Sequence, residues 1–262
     1  MNFFDLKLGD GILIRSPDDK IILIDGGDGD QMISKISKKM GYFGRKIDYI
    51  FVTHYDSDHL TGLISIVKKF KIGTIFVNGK QRKTAEFLKF FEEIEKNNSG
   101  IIVKNFSELK NFSNCEKIFL GNDKKKFSVN EKKYCEKNFF LAKNMLLKPI
   151  FPIGNDFVKM KNIGNFSLVF EIFFKNSENG KITKILFTGD AEYEIEKILL
   201  EKNLLGKVDY LKIPHHGSKS SSLTGFILAT SPKIGVIMAS KDNKFGHPHG
   251  EIVERYKKFG VK

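Results

Sequence analysis

Two hydrophobic periods run through this 262-residue chain. Apolar, β-branched runs predict antiparallel strands at residues 3–8, 11–15 and 20–25, with P-D-D-K at 17–20 as a hairpin turn. Residues 31–40 read as a helix. The run I-D-Y-I-F-V-T at 47–53 reads as a buried strand, and 60–70 carries apolar residues at helical spacing. A further strand is predicted at 74–77. An amphipathic helix follows at 83–96, with Phe87, Leu88, Phe91 and Ile94 on its apolar side.

From 105 to 148 the periodicity degrades, since N-D-K-K-K, E-K-K and many Asn interrupt short apolar pieces. That stretch reads as a lysine-rich insertion on one face of a single domain covering 1–262. It is either a solvated surface loop or a substrate-binding element, for which Lys124, Lys125 and Lys126 are the candidates. The strand and helix signals then return. Residues 165–174 and 181–188 form a hairpin, 191–200 a helix, 208–213 a strand, 221–229 a helix, 234–239 a strand and 251–259 a closing helix. This order fits two sheets packed face to face and covered by helices, and the pattern alone also allows one doubly wound sheet.

Composition narrows the class. Hydrophobic residues are 41% and charged residues 29%, as in a globular protein able to bury a sizeable core. No apolar run approaches membrane-spanning length. Residues 1–13 hold an acid, Asp5, and no basic stretch ahead of a long apolar run, so neither membrane insertion nor a signal peptide is expected. Cys115 and Cys135 stand without C-x-x-C spacing and permit a reducing compartment, so a cytoplasmic protein is expected. The net charge of +13 favours a polyanionic partner. Only four of the basic residues are Arg, while Lys, Asn, Ile and Phe abound and Trp is absent. An AT-rich genome would produce the same usage, so charge alone decides nothing.

The chemistry concentrates in four places. T-H-Y-D-S-D-H at 53–59 gathers His54, Asp56, Asp58 and His59 within six positions, on a strand-to-helix loop where α/β proteins place ligands. Imidazole and carboxylate bind divalent metals, and no regular helix or strand presents all four on one side, whereas a loop does. A second strand ends T-G-D on Asp190. A third ends P-H-H-G-S on His215 and His216. G-H-P-H supplies His247 and His249. All six histidines lie in these segments.

In that order the motifs resemble metallo-β-lactamase-fold hydrolases, most closely the ComEC-type competence hydrolase domain. L-I-D-G-G at 23–27 and F-D-L-K-L-G-D-G at 4–11 add to the likeness. The resemblance implies an αββα sandwich of two mixed β-sheets flanked by helices. It also implies two divalent ions, Zn²⁺ or Mn²⁺, able to share a hydroxide. His54 and Asp56 would bind one ion, Asp58 and His59 the other, with Asp190 bridging and His215 completing the second. Asp58, His216 and His247 are the expected catalytic residues: His216 to polarise the substrate, His247 to act on the scissile phosphate as acid or hydrogen-bond donor. Ser218, Lys219 and His249 are expected at the substrate, or as caps of the following helices.

Two departures stand out. Asp56 replaces the second His of the superfamily's commoner H-x-H-x-D-H, and no further His lies between that motif and Asp190. The first ion is therefore short of a ligand, or takes one from elsewhere. The chain stops at Lys262, where relatives continue into another strand, so either the sequence is cut short or an edge of its sheet is left open for a partner protein or second copy to complete. The function expected is a phosphodiesterase or nuclease acting on nucleic acid or nucleotides. On the same site, hydrolysis of an acyl ester, thioester or lactam, or a non-catalytic metal-binding regulatory subunit, are the alternatives.

Overall fold

The computed structural model describes residues 1–41, 46–97, 100–109, 139–153 and 166–262, with 115, 116, 119, 130, 132 and 135 between them. Strands β1 (Asn2–Phe3), β2 (Ile12–Arg15), β3 (Ile21–Ile24), β4 (Lys46–Phe51), β5 (Lys71–Val77) and β6 (Ile102–Asn105) form one six-stranded sheet in chain order. It is antiparallel from β1 to β3 and parallel from β3 to β6. The second sheet runs β12 (Ile234–Val236), β11 (Tyr210–Lys212), β10 (Ile182–Phe187), β9 (Val169–Lys175), β8 (Met145–Phe151), β7 (Phe140–Ala142). It is antiparallel from β7 to β10 and parallel from β10 to β12.

Alternation sorts the apolar side chains into layers. Ile12, Ile14, Ile22 and Ile24 face the second sheet and pack with Phe170, Ile172 and Phe187, whereas Leu13, Ile21 and Leu23 face helices. A column of rings ties the sheets together: Phe76 stacks on Phe51 (4.7 Å), Phe51 on Phe170 (4.6 Å) and Phe170 on Phe187 (5.2 Å). Helices α1 (Gln31–Met40), α2 (Ser57–Lys69) and α3 (Ala85–Lys96) cover the first sheet. Helices α4 (Tyr193–Glu201), α5 (Thr224–Thr230) and α6 (Gly250–Lys258) cover the second. The result is the αββα sandwich; the doubly wound alternative is excluded because the strands split into two sheets.

Three readings change, and a fourth is not reached. Strands β7 and β8 occupy the last part of the stretch read as an insertion, and Leu141, Leu146 and Leu147 are core residues there. Lys124, Lys125 and Lys126 lie outside the described residues. On α3 the buried positions are Phe90, Glu93 and Ile94, while Leu88 faces solvent. Cys115 and Cys135, read as isolated, are joined in a disulfide within the inter-sheet core. Such pairs persist chiefly in oxidising compartments.

At the far edge, the backbone of Lys262 bonds Gly235 N and Lys233 O, on either side of Ile234. Among the described residues no helix is long and apolar enough to cross a membrane.

Candidate metal centre

The parallel halves of the two sheets bring their carboxyl ends to a common seam, and the loops after β4, β10 and β11 deliver ligand-type side chains. After β4 the chain turns through Thr53–Asp56 into α2, whose first turn holds Asp58 and His59; the Asp56 carbonyl accepts from His59 N and Leu60 N. After β10, Gly189 takes φ 47° and Asp190 follows. After β11, His215, His216 and Gly217 are consecutive left-handed residues (φ 47°, 54°, 80°). That conformation costs a non-glycine residue on the order of 1–3 kcal/mol, and such strain gathers at functional sites. A β-carbon added to Gly217 would lie 2.7 Å from Pro248 Cβ, so this turn abuts the loop carrying His247.

Asp190 is the hub. Its Oδ2 lies 3.8 Å from His54 Nε2, 3.4 Å from His59 Nε2, 3.8 Å from His215 Nε2 and 3.3 Å from His216 Nε2. Ligands held at 2.0–2.1 Å in a tetrahedron stand about 3.4 Å from one another, so these separations are those of a shared coordination shell. On one side Asp56 Oδ2 is 3.6 Å from His54 Nε2. On the other, Asp58 Oδ2 is 3.9 Å from His59 Nε2 and 3.8 Å from His216 Nε2. Asp58, His59 and His216 thus form one compact group, and His54, His59 and Asp190 another.

A layer behind the imidazoles fixes which nitrogen faces the hub. His59 Nδ1 donates to Asp25 Oδ2 at 2.8 Å. His54 Nδ1 donates to Thr53 Oγ1 at 3.0 Å, which itself donates to Asp25 Oδ2. His216 Nδ1 donates to the Met238 carbonyl at 2.7 Å, with Asp10 Oδ1 at 3.4 Å. His215 Nδ1 meets Glu192 Oε1 at 3.0 Å and Ser220 Oγ at 3.2 Å. Each ring's proton therefore sits outward, leaving a lone pair on Nε2 aimed at a carboxylate. The Nε2 atoms of His54, His59 and His216 are buried and make no hydrogen bond. Lone pairs converging on carboxylates repel unless a cation lies between them. These residues fit divalent metal.

Electrostatics says the same thing without metal. Burial lowers His59, but Asp190 and Asp25 overcome it and hold the imidazolium well above its usual value. Burial also opposes charge on His216, yet Asp190 and Asp10 push it up to about 10. Burial would raise Asp190, and His216 and His59 instead hold it well below the usual carboxylate range. His54 stays low through burial and the neighbouring His59. Protons would thus occupy the cation's place, and metal loading must release them.

His247 lies beside the cluster, its ring 5.5 Å from His215 and 6.2 Å from His216. Burial, then His215 and His216, lower it to about 4. It lines a cavity of about 250 Å³ with Asp56, Asp58, Asp190, His215 and His216. Ser218 turns to Ser220 Oγ instead (3.0 Å), and the exposed Lys219 meets His249 Nδ1 through its backbone N–H (3.2 Å). His249 is the N-cap position of α6. None of these three lines the cavity.

The residues that sequence reading left unassigned are the supporting ones: Asp10, Asp25, Glu192 and Lys212. Asp10 and Asp25 had a signal, since both fall inside the quoted G-D-G and L-I-D-G-G motifs. Lys212 and Glu192 had none.

Comparison with known proteins agrees with this architecture. Residues 7–112 match the family model described as Metallo-beta-lactamase superfamily. The fold is that of the metallo-β-lactamases. "ComE operon protein 3" of Bacillus subtilis (strain 168) is 36% identical over 85 residues, covering 32% of this chain and 11% of that protein. "Recombination protein 2" of Haemophilus influenzae (strain ATCC 51907 / DSM 11121 / KW20 / Rd) is 34% identical over 82 residues, covering 31% and 10%. The matched segments span about a tenth of either relative. Among solved structures, a long form RNase Z from yeast aligns over 92% of this chain and 36% of its own (TM-score 0.49, 12% identity). Rm3 metallo-β-lactamase aligns over 81% and 74% (TM-score 0.44, 12% identity). At such identities nothing about substrate transfers.

Proposed function

We propose that this metallo-β-lactamase-fold chain is a metal-dependent phosphodiesterase acting on nucleic acid or a nucleotide. The observation that carries it is the position of Asp190 Oδ2 between imidazoles on both sides, with an open cavity above. In this reading His54, Asp56 and His215 would hold one ion, Asp58, His59 and His216 another, and Asp190 would serve both. That assignment gives His216 the place at the second ion that the sequence suggested for His215, and moves His215 to the first ion. It also gives the first ion a ligand in place of the His missing from the middle of the chain. Bound divalent ions would supply a water deprotonated near neutral pH and neutralise charge on both ends of an in-line displacement.

The chain's own groups do the rest. Asp25 holds the rings of His54 and His59, and Asp10 with the Met238 carbonyl holds His216. His247, beside the cluster and on the cavity wall, would hydrogen-bond a phosphate oxygen or pass a proton to the leaving oxygen. Three carboxylates in the set make it harder than an all-histidine site, so Mn²⁺ and Zn²⁺ both suit it. The likeness to proteins named for the ComE operon and for recombination favours nucleic acid as the first substrate to test.

The test pairs substrates. The purified chain with Mn²⁺ or Zn²⁺ should hydrolyse bis(p-nitrophenyl) phosphate and single-stranded DNA, and leave a chromogenic cephalosporin intact. Asp190→Ala should lose bound metal and turnover together while its circular dichroism spectrum stays the same. Lactam or thioester hydrolysis without diester hydrolysis would overturn the reading.

A further inference from the structure

One side chain at the mouth of this cavity has no part in holding metal. Phe245 is 51% exposed, at the tip of a polar loop, yet it lines the same cavity as Asp58, Asp190 and His216. Lone exposed apolar residues are common and need no explanation. This one is held in place.

Asn243 Nδ2 donates to the carbonyls of Ser240 (2.6 Å) and His247 (2.5 Å), and its Oδ1 accepts from Phe245 N (3.2 Å) and His247 N (2.9 Å). Those four bonds fix the backbone of the loop, on which the Phe245 ring lies nearly parallel to His247 at 5.7 Å (22°). His247 in turn lies at 26° to His216, 6.2 Å away. A staircase of flat rings therefore climbs from the ligand cluster to solvent. Leu8, Met238 and Ala239 line the cavity with it, and Lys244 Nζ lies 5.2 Å from the Phe245 ring centre.

A flat apolar face one step above the ligand cluster, with a cation over it, matches an unpaired nucleobase and its adjoining phosphate. Stacking on an aromatic ring needs a base free of its partner strand, and it tolerates any base because each has a π-face. We propose that Phe245 is the platform on which the base next to the scissile phosphate stacks, so that the site takes single-stranded nucleic acid. This deepens the phosphodiester reading and rests on it for the position of the phosphate.

Two measurements separate the two ideas. Hydrolysis compares thymidine 5′-(p-nitrophenyl phosphate) with ethyl p-nitrophenyl phosphate, which has no base. Binding, by fluorescence anisotropy in Ca²⁺ without turnover, compares an oligothymidylate with an abasic strand of the same length. Phe245→Ala should lower kcat/KM for the thymidine diester about tenfold more than for the ethyl diester, mostly through KM, and weaken oligothymidylate binding about tenfold. The abasic strand should bind wild type and variant alike, and Phe245→Trp should restore both base-dependent readings. Equal losses on both diesters, or oligothymidylate binding that is unchanged or absent from the outset, would overturn the platform. A wild type that cleaves neither diester but loses oligothymidylate binding on Phe245→Ala would sink the phosphodiesterase and leave the platform standing.

Discussion

Lys212 is 1% exposed and charged, at the end of β11 directly behind the ligand cluster. Its Nζ reaches Asp10 Oδ2 at 2.7 Å, and the carbonyls of Ile213 (3.2 Å) and Gly189 (3.4 Å) lie close. A buried ion pair loses most when one member goes, because the other charge is stranded in a medium that cannot solvate it. Lys212→Met should cost about 3–5 kcal/mol in urea unfolding. Adding Asp10→Asn should recover part of that loss, and strictly additive losses would show that the two side chains do not act as a pair. At this scale the sequence was half legible. Imidazoles clustered at strand ends stand out in a chain with only six of them. A lysine in a strand reads as a solvent-facing position, and only the third dimension sets it against Asp10. The turn that sets adjacent His215 and His216 both against Asp190 was equally hidden, since it rests on consecutive left-handed residues.

At the level of elements, α4 is fastened to the loop after the P-H-H-G turn through one carboxyl. Glu196 Oε1 accepts from Ser222 N at 2.6 Å and Oε2 from Leu223 N at 2.7 Å. Burial raises this carboxyl to about 7, against the pull of those two N–H groups. A group that binds its proton more tightly when folded contributes fully below its unfolded value, here 4.5, and loses that contribution as pH rises through 7. Wild type should therefore lose about 3 kcal/mol relative to Glu196→Gln between pH 4.5 and 7, read from urea midpoints across that range. Parallel pH profiles would mean that Glu196 is ionised throughout. Strands β3, β4, β5 and β10 were legible because continuous apolar runs mark them. β7 and β8 were not, since their short apolar pieces adjoin a lysine- and asparagine-rich stretch; β7 pairs with β8, and only β8 joins them to β9. Leu88 was assigned to the buried side of α3 by periodicity, which fixes a stripe's spacing but not how the helix is rotated onto the sheet.

Across the whole molecule, four of the seven ligand-type residues follow β4 of the first sheet and three follow β10 and β11 of the second. An ion bound at the seam therefore joins the two halves. Ligand that binds only the folded state stabilises it by about 2.7 kcal/mol at a hundred times its Kd. For a chain of this size that corresponds to roughly 5–10 °C in Tm. Calorimetry with Mn²⁺ or Zn²⁺ against a chelator should show that shift in wild type and lose it in Asp190→Ala. Equal midpoints with and without ion would remove the metal centre. The face-to-face packing of the sheets was legible only through family likeness, because apolar periodicity alone also suits one continuous sheet.

The bonds of Asn243 end within a few residues, at Ser240, Phe245 and His247. None reaches Asp25, Asp58 or Asp190, so the rim around Phe245 is built as a cassette, clipped onto a floor that is braced from the other side. Such a layout separates inheritance of the reaction from inheritance of its target. Exchange of residues 240–246 for another rim would be expected to reorder preference among diesters while ion content stays constant. In lineages sharing this floor, that short segment is where change of diet would be written.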